Sequence, residues 1–168
     1  MKKFLFLAGL FMAAVTASAQ SGNLDQGGLQ LNAGVGVSGW GIPVYVGLDY
    51  GVTNDISVGG EFTFRSYSHS SYYTHNIMGF FGNGNYHFNN LFNLPRPLDL
   101  YAGLSLGVYT STVTAKEGRD YIGDSYSGFS LIGQTGVRYF FTDNFGVNLE
   151  LSGGLLTSGA KAGITYRF

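Results

Sequence analysis

Cysteine is absent from the 168 residues, which excludes a disulfide framework and also the lipid-accepting cysteine that a lipoprotein carries at its cleavage point. Charge is scarce: Asp, Glu, Lys and Arg make up 11% of the chain, against roughly 25% in an ordinary soluble domain. That is too little to cover a water-facing surface in the usual way. The formal net charge is −1 and the few Lys and Arg residues form no cluster, so the basic footprint of a nucleic-acid binder is missing. After the N-terminus no stretch approaches the ~20 apolar residues of a spanning helix. His69, His75 and His87 lack the spacing of zinc ligands, no glycine-rich loop opens a helix to cradle phosphate, and no cofactor is expected.

Glycine and aromatic residues are plentiful, with 27 glycines and 16% Phe, Trp and Tyr. The length suits one domain, and no composition shift marks a second. Residues 1–19 have the layout of a secretory signal: Lys2 and Lys3 form a basic start, 4–15 an apolar stretch, and Ala17, Ser18 and Ala19 a small-residue cleavage site. Residues 20–168 are then the exported domain.

From residue 29 onward apolar residues alternate with small or polar ones over segments of about ten, the length and period of membrane-barrel strands. Eight segments are expected, near 29–38, 43–52, 56–66, 76–88, 98–110, 127–141, 145–155 and 160–168. The fifth alternates almost without fault, Leu98, Leu100, Ala102, Leu104, Leu106 and Val108 opposing Asp99, Tyr101, Gly103, Ser105 and Gly107. The fourth is the least regular, because Ile77 and Phe81 break its pattern. Alternation alone leaves open which face is inside, since a soluble barrel buries its apolar face and a membrane barrel shows it to lipid.

Three features favour lipid. The polar stripe is built of Gly, Ser, Asn and Thr with isolated charges, as suits a narrow interior. Tyr50, Tyr86, Phe88, Tyr139, Phe141, Phe145, Tyr166 and Phe168 fall near strand ends, where they make an aromatic girdle. Connections alternate in length: 52–55 and 142–144 are tight turns rich in Asx, whereas 67–75 and 111–125 read as longer polar loops. The turn at 89–97, with Pro95 and Pro97, is long for its side, and the connections around Trp40 and Ser158 are short. The expected fold is all-β, an eight-stranded antiparallel up-and-down transmembrane barrel, closed because lipid cannot satisfy a free strand edge. At eight strands side chains fill the interior.

The chain ends in Lys161, Ala162, Gly163, Ile164, Thr165, Tyr166, Arg167 and Phe168, and this resembles the terminal strand of bacterial outer-membrane barrels, which stop on an aromatic residue with apolar residues at every second position before it. With the signal and the eight segments, residues 20–168 resemble the small OmpA/OmpX-type barrels of the porin family. The resemblance implies the outer membrane of a Gram-negative bacterium, contact with lipid and lipopolysaccharide, and handling by the barrel-assembly machinery through Ile164, Tyr166 and Phe168. It implies no single molecular role. The first expectation is a non-enzymatic barrel serving membrane integrity or surface contact, with loops 67–75 and 111–125 open to a surface ligand. A narrow or gated channel is the alternative, and a lipid A-modifying enzyme at the outer rim the second alternative.

Inside the barrel, Arg138, Glu150 and Arg167 are expected to meet, Glu150 lying between the two guanidiniums, because an unpaired charge in a narrow lumen is costly. Asp49, Glu61 and Arg65 form a second inward group on the same grounds. The lumen cluster is a structural plug in this reading. The enzyme alternative rests on Ser-His adjacency within 66–75, where no acidic residue is placed to orient an imidazole. Lys116, Glu117, Arg119, Asp120 and Asp124 mix both signs and read as a solvated loop.

Overall fold

The computed structural model describes residues 24–39, 41–70, 73–115, 126–155 and 158–168. The expected signal at 1–19 and the charged stretch 116–125 lie outside them. Eight strands follow one another: β1 (Leu29–Ser38), β2 (Val44–Gly51), β3 (Ile56–Ser70), β4 (Tyr73–His87), β5 (Leu98–Ala115), β6 (Tyr126–Phe140), β7 (Phe145–Gly154) and β8 (Ser158–Arg167). Each pairs antiparallel with the next, and β8 returns to pair with β1 from Gln30↔Arg167 to Ser38↔Gly159, which closes the barrel in up-and-down order. The ladder therefore has no free edge at the level where all eight strands are paired.

The period of two settles the faces. Leu29, Leu31, Val35, Val44, Val46, Leu48, Leu104, Leu106, Val108, Val147, Leu149 and Leu151 stand on the outside, while Gln30, Asn32, Asp49, Asp99, Ser105, Arg138 and Glu150 are buried within. Apolar surface running unbroken around a barrel far exceeds the patch a soluble monomer tolerates, so its solvent is hydrocarbon. Ten residues at ~3.3 Å each, tilted by about 40°, rise ~25 Å, the height of the apolar band in such barrels. Tyr50, Tyr86, Tyr139, Phe145, Tyr166 and Phe168 stand outward beside the tight turns, with edge-on ring pairs at Tyr86–Phe88, Tyr139–Phe141 and Tyr166–Phe168. This is the expected girdle, at one rim.

Two expectations are corrected. Within the expected loop 67–75, residues 67–70 and 73–75 are strand: β3 and β4 stay paired through Arg65↔Ile77, Ser66↔Asn76, Tyr67↔His75 and Ser68↔Thr74 to Ser70↔Tyr73. Likewise β5 runs on to Ala115, past the expected limit at 110. Above the lipid an outward residue need not be apolar, so the hydrophobic period stops while backbone pairing continues. The irregularity of β4 has a second cause, since Ile77 and Phe81 point inward and pack with Tyr109 and Ile132 in an apolar cluster inside the barrel. The long lower connection holds a single helical turn, α1 (Asn89–Phe92).

Glycine is demanded where walls approach. Gly34 and Gly163 face each other across the β1–β8 seam, and a Cβ on Gly163 would strike the Ala33 carbonyl and the Tyr45 hydroxyl. Gly84 faces outward with open space around it. Gly163→Ala should cost about 1–3 kcal/mol through overpacking at the seam, whereas Gly84→Ala should stay within about 0.5 kcal/mol of the parent; urea unfolding of both variants in lipid vesicles checks the contrast.

Candidate functional site: the barrel interior

Strand alternation delivers one inward side chain at every second position, and eight strands leave room for those side chains and little else. The lumen is therefore a packed polar core whose groups must satisfy one another. Near the turn-bearing rim, Arg138 on β6 donates Nη1 to Asp99 Oδ2 and Nη2 to Asp49 Oδ2, both at 3.0 Å. Asp49 on β2 also accepts from Asn32 Nδ2 at 2.9 Å and Asn83 Nδ2 at 3.0 Å. Thr165 Oγ1 on β8 and Gln30 Nε2 donate to Asn32 Oδ1 at 2.8 and 3.1 Å. The Arg138 guanidinium lies 4.1 Å from the Tyr101 ring centre, a further contact for a cation removed from water.

One step toward the opposite end, Lys161 on β8 lies 2.7 Å from Glu61 Oε2 and 2.7 Å from Glu150 Oε1. Tyr101 connects the two levels by donating its hydroxyl to Glu150 Oε2 at 2.8 Å, and Tyr45 donates to Asn148 Oδ1 at 2.6 Å. Above this sit Gln134, bonded to Asn85 at 2.7 Å, and the Ile77, Phe81, Tyr109 and Ile132 cluster. Arg65 donates to Ser38 Oγ at 2.8 Å and lies 5.4 Å from the Tyr109 ring centre. The inward cations Arg65, Arg138, Lys161 and Arg167 are matched in number by Asp49, Glu61, Asp99 and Glu150, so the filling is close to neutral.

All six expected lumen residues point inward, but their grouping differs from the expected one. Glu150 does not sit between Arg138 and Arg167. The tight turn at 141–144 sets Arg138 opposite Asn148, one inward row away from Glu150, and the β7–β8 register sets Glu150 opposite Lys161. Arg167 lies nearer the rim, where its Nε donates to Gln30 Oε1 at 3.2 Å and its guanidinium covers the Phe140 ring at 3.5 Å. Asp49, Glu61 and Arg65 do not form one group either: each meets a different partner at a different height. The bridging roles of Lys161, Asp99 and Tyr101 were carried in the sequence only by their inward parity.

A second arrangement had no separate signal. Ser57 Oγ lies 2.9 Å from His87 Nε2, and His87 Nδ1 lies 2.7 Å from Asp99 Oδ1. This is the connectivity of a hydrolase triad, contributed by β3, β4 and β5. All three side chains are buried, at 0%, 1% and 0% exposure, Asp99 is shared with Arg138, and Ser57 lines neither of the two lumen recesses that reach Lys161. The relay ties three strands together. At the other rim Ser66 lies outward and His75 on the inward row, so these two make no dyad across the ladder; the side chains of Ser68 and His69 lie outside the described residues. No group of three or more metal-ligating side chains occurs among the described residues.

A closed, meandering barrel of eight strands with an apolar outside and a filled polar inside is the fold of the small outer-membrane barrels of the OmpA/OmpX type. No protein-family model and no curated protein sequence matches the chain. Among solved structures it is similar to the N-terminal β-barrel domain of Pseudomonas aeruginosa OprF, with TM-score 0.60 and 17% identity over 85% of this chain and 98% of that one. It is similar to the outer membrane protein OprG of the same organism, with TM-score 0.63 and 10% identity over 89% and 99%. A third is Ail, the attachment invasion locus protein of Yersinia pestis, with TM-score 0.56 and 20% identity over 85% and 99%. At these identities the likeness is one of fold.

Lys161→Met leaves Glu61 and Glu150 facing each other without their cation and should destabilise the barrel by about 3–5 kcal/mol. Adding Glu61→Gln and Glu150→Gln should recover much of that loss, as read by denaturant unfolding of the single and triple variants.

Proposed function

We propose that the chain is a non-enzymatic outer-membrane protein with no open passage, contributing to the integrity of the membrane and presenting a raised wall for surface contact. The observation that carries this reading is the filled interior. Charge pairs close the lumen at the level of Arg138 and again at Lys161, and apolar side chains narrow it at Phe81. The shared fold with outer-membrane barrels supports the location. The outward Ile164 and Tyr166 on β8 and Phe168 just after it support recognition by the barrel-assembly machinery, and the girdle and apolar band support contact with phospholipid and lipopolysaccharide.

Surface contact is supported by the unequal strands. β1, β2, β7 and β8 span ten residues or fewer, while β3 to β6 span fifteen to eighteen. Four strands thus stand above the other four as a polar sheet. Among the described residues its flanks are strand edges, since β3 has no partner on β2 beyond Phe64 and β6 has none on β7 beyond Ile132, with Leu155 N still reaching the Leu131 carbonyl at 3.2 Å. Such edges accept an added strand. Ail carries an attachment function in its name, which accords with this reading.

A gated channel is the second reading, favoured by one feature. A recess of about 60 Å³ descends from the tall side past Ser38 and Arg65 to Lys161, enough for a few waters. Conduction would need both charge levels to part. In planar bilayers the purified protein should give no discrete openings, and Phe81→Ala should not create them; stepwise currents from the parent protein would replace this reading with the channel. Phe168→Ala should slow insertion into vesicles by assembly machinery several-fold with little effect on the stability of barrels once folded, as followed by the heat-dependent mobility shift.

A further inference from the structure

The long lower connection ends pairing at Phe88 and resumes it at Leu98, and between them α1 is held in one orientation. Asn89, buried, accepts from Leu100 N at 3.3 Å and donates to the Leu98 carbonyl at 2.5 Å. Asn90 Nδ2 reaches across to Asp55 Oδ1 in the neighbouring turn at 2.6 Å. Asn93 takes a left-handed conformation (φ 49°), and its N–H closes the turn on the Asn89 carbonyl. With its polar side tied to the barrel end, the helical turn presents Leu91 and Phe92 to the surroundings at 62% and 57% exposure. An apolar pair so displayed on a braced segment is not explained by folding of the barrel itself.

The lipid-facing wall leads directly to it. The Tyr86 ring, outward on β4, meets Phe88 edge-on at 5.1 Å, and Phe88 stacks on Phe92 at 5.7 Å and 19°. The girdle is thus continued off the strand and onto the helical turn by three rings in succession. Arg96, exposed in the same connection, makes no ion pair among the described residues, and a cation beside an apolar pair at this level matches the phosphate beside the acyl boundary. We infer that α1 is an interfacial anchor: Leu91 and Phe92 enter the acyl–headgroup boundary of the leaflet on the turn-bearing side, with Arg96 against phospholipid phosphate. The inference rests on the membrane-barrel reading and adds a monotopic contact beyond the spanning wall.

The absence of cysteine makes the test direct, because any introduced thiol is the sole labelling site. Leu91→Cys, Phe92→Cys, Leu104→Cys and Asp143→Cys are each spin-labelled in vesicles of phosphatidylethanolamine and phosphatidylglycerol, folding being checked by the heat-dependent mobility shift. Leu104 is outward on β5 and serves as lipid reference, and Asp143 in a tight turn as aqueous reference. The expected result is an oxygen-to-nickel-chelate accessibility ratio at 91 and 92 several-fold above that at 143 and approaching that at 104. Equal ratios at 91, 92 and 143, with 104 still in lipid, overturn the anchor and leave the barrel reading standing. Spin–spin broadening at 91 that disappears on dilution with unlabelled protein overturns it in favour of a second copy as occupant. An aqueous signal at 104 removes both readings. Should Phe92→Cys fail to fold, Leu91→Cys alone carries the comparison.

Discussion

Inside hydrocarbon no water is available to a free N–H or C=O, and each one left unpaired costs several kcal/mol. The pairing of β1 with β8 meets that demand. Once the first and last strands join, no edge faces lipid, the wall must tilt, and the circumference is set by eight strands at fixed spacing. The narrow lumen follows from this, and so does the need for glycine where Gly34 and Gly163 meet across the seam.

A narrow lumen turns every inward polar residue into a buried one. Burial without a partner is expensive, and the interior answers with partners drawn from all around the wall. Asp49 on β2 receives Arg138 from β6, Asn32 from β1 and Asn83 from β4. Lys161 on β8 joins β3 to β7 through Glu61 and Glu150. These contacts brace the barrel across its diameter, where backbone ladders run only around it. The Ser57, His87 and Asp99 relay belongs to the same economy of satisfied groups: its connectivity is that of a hydrolase and its burial that of a strut.

The two ends of the barrel differ because their surroundings differ. On the turn-bearing side the connections are tight, the rings form a girdle, and the one longer connection folds into a helical turn whose exposed apolar pair continues that girdle. On the other side β3 to β6 leave the lipid still paired and carry polar residues on both faces.

Much of this was legible in the order of residues. Period-two alternation in strands such as β5 marks both the element and its faces, and aromatic residues at strand ends mark the girdle, because both are local consequences of a wall between hydrocarbon and a polar core. Where lipid stops constraining the outward face, as beyond Arg65 and Thr110, that signal vanishes although the strands go on. Ile77 and Phe81 looked like faults in β4 because an apolar residue was assumed to face lipid, and their inward cluster depends on Tyr109 and Ile132 from two other strands. Which charges face inward was set by parity along each strand, a property of the chain taken singly. Which of them meet was decided by tilt and register between strands: the β5–β6 register sets Arg138 opposite Asp99 while the β6–β7 register leaves Glu150 one inward row away, and the energy that selects this arrangement exists only after the barrel has closed.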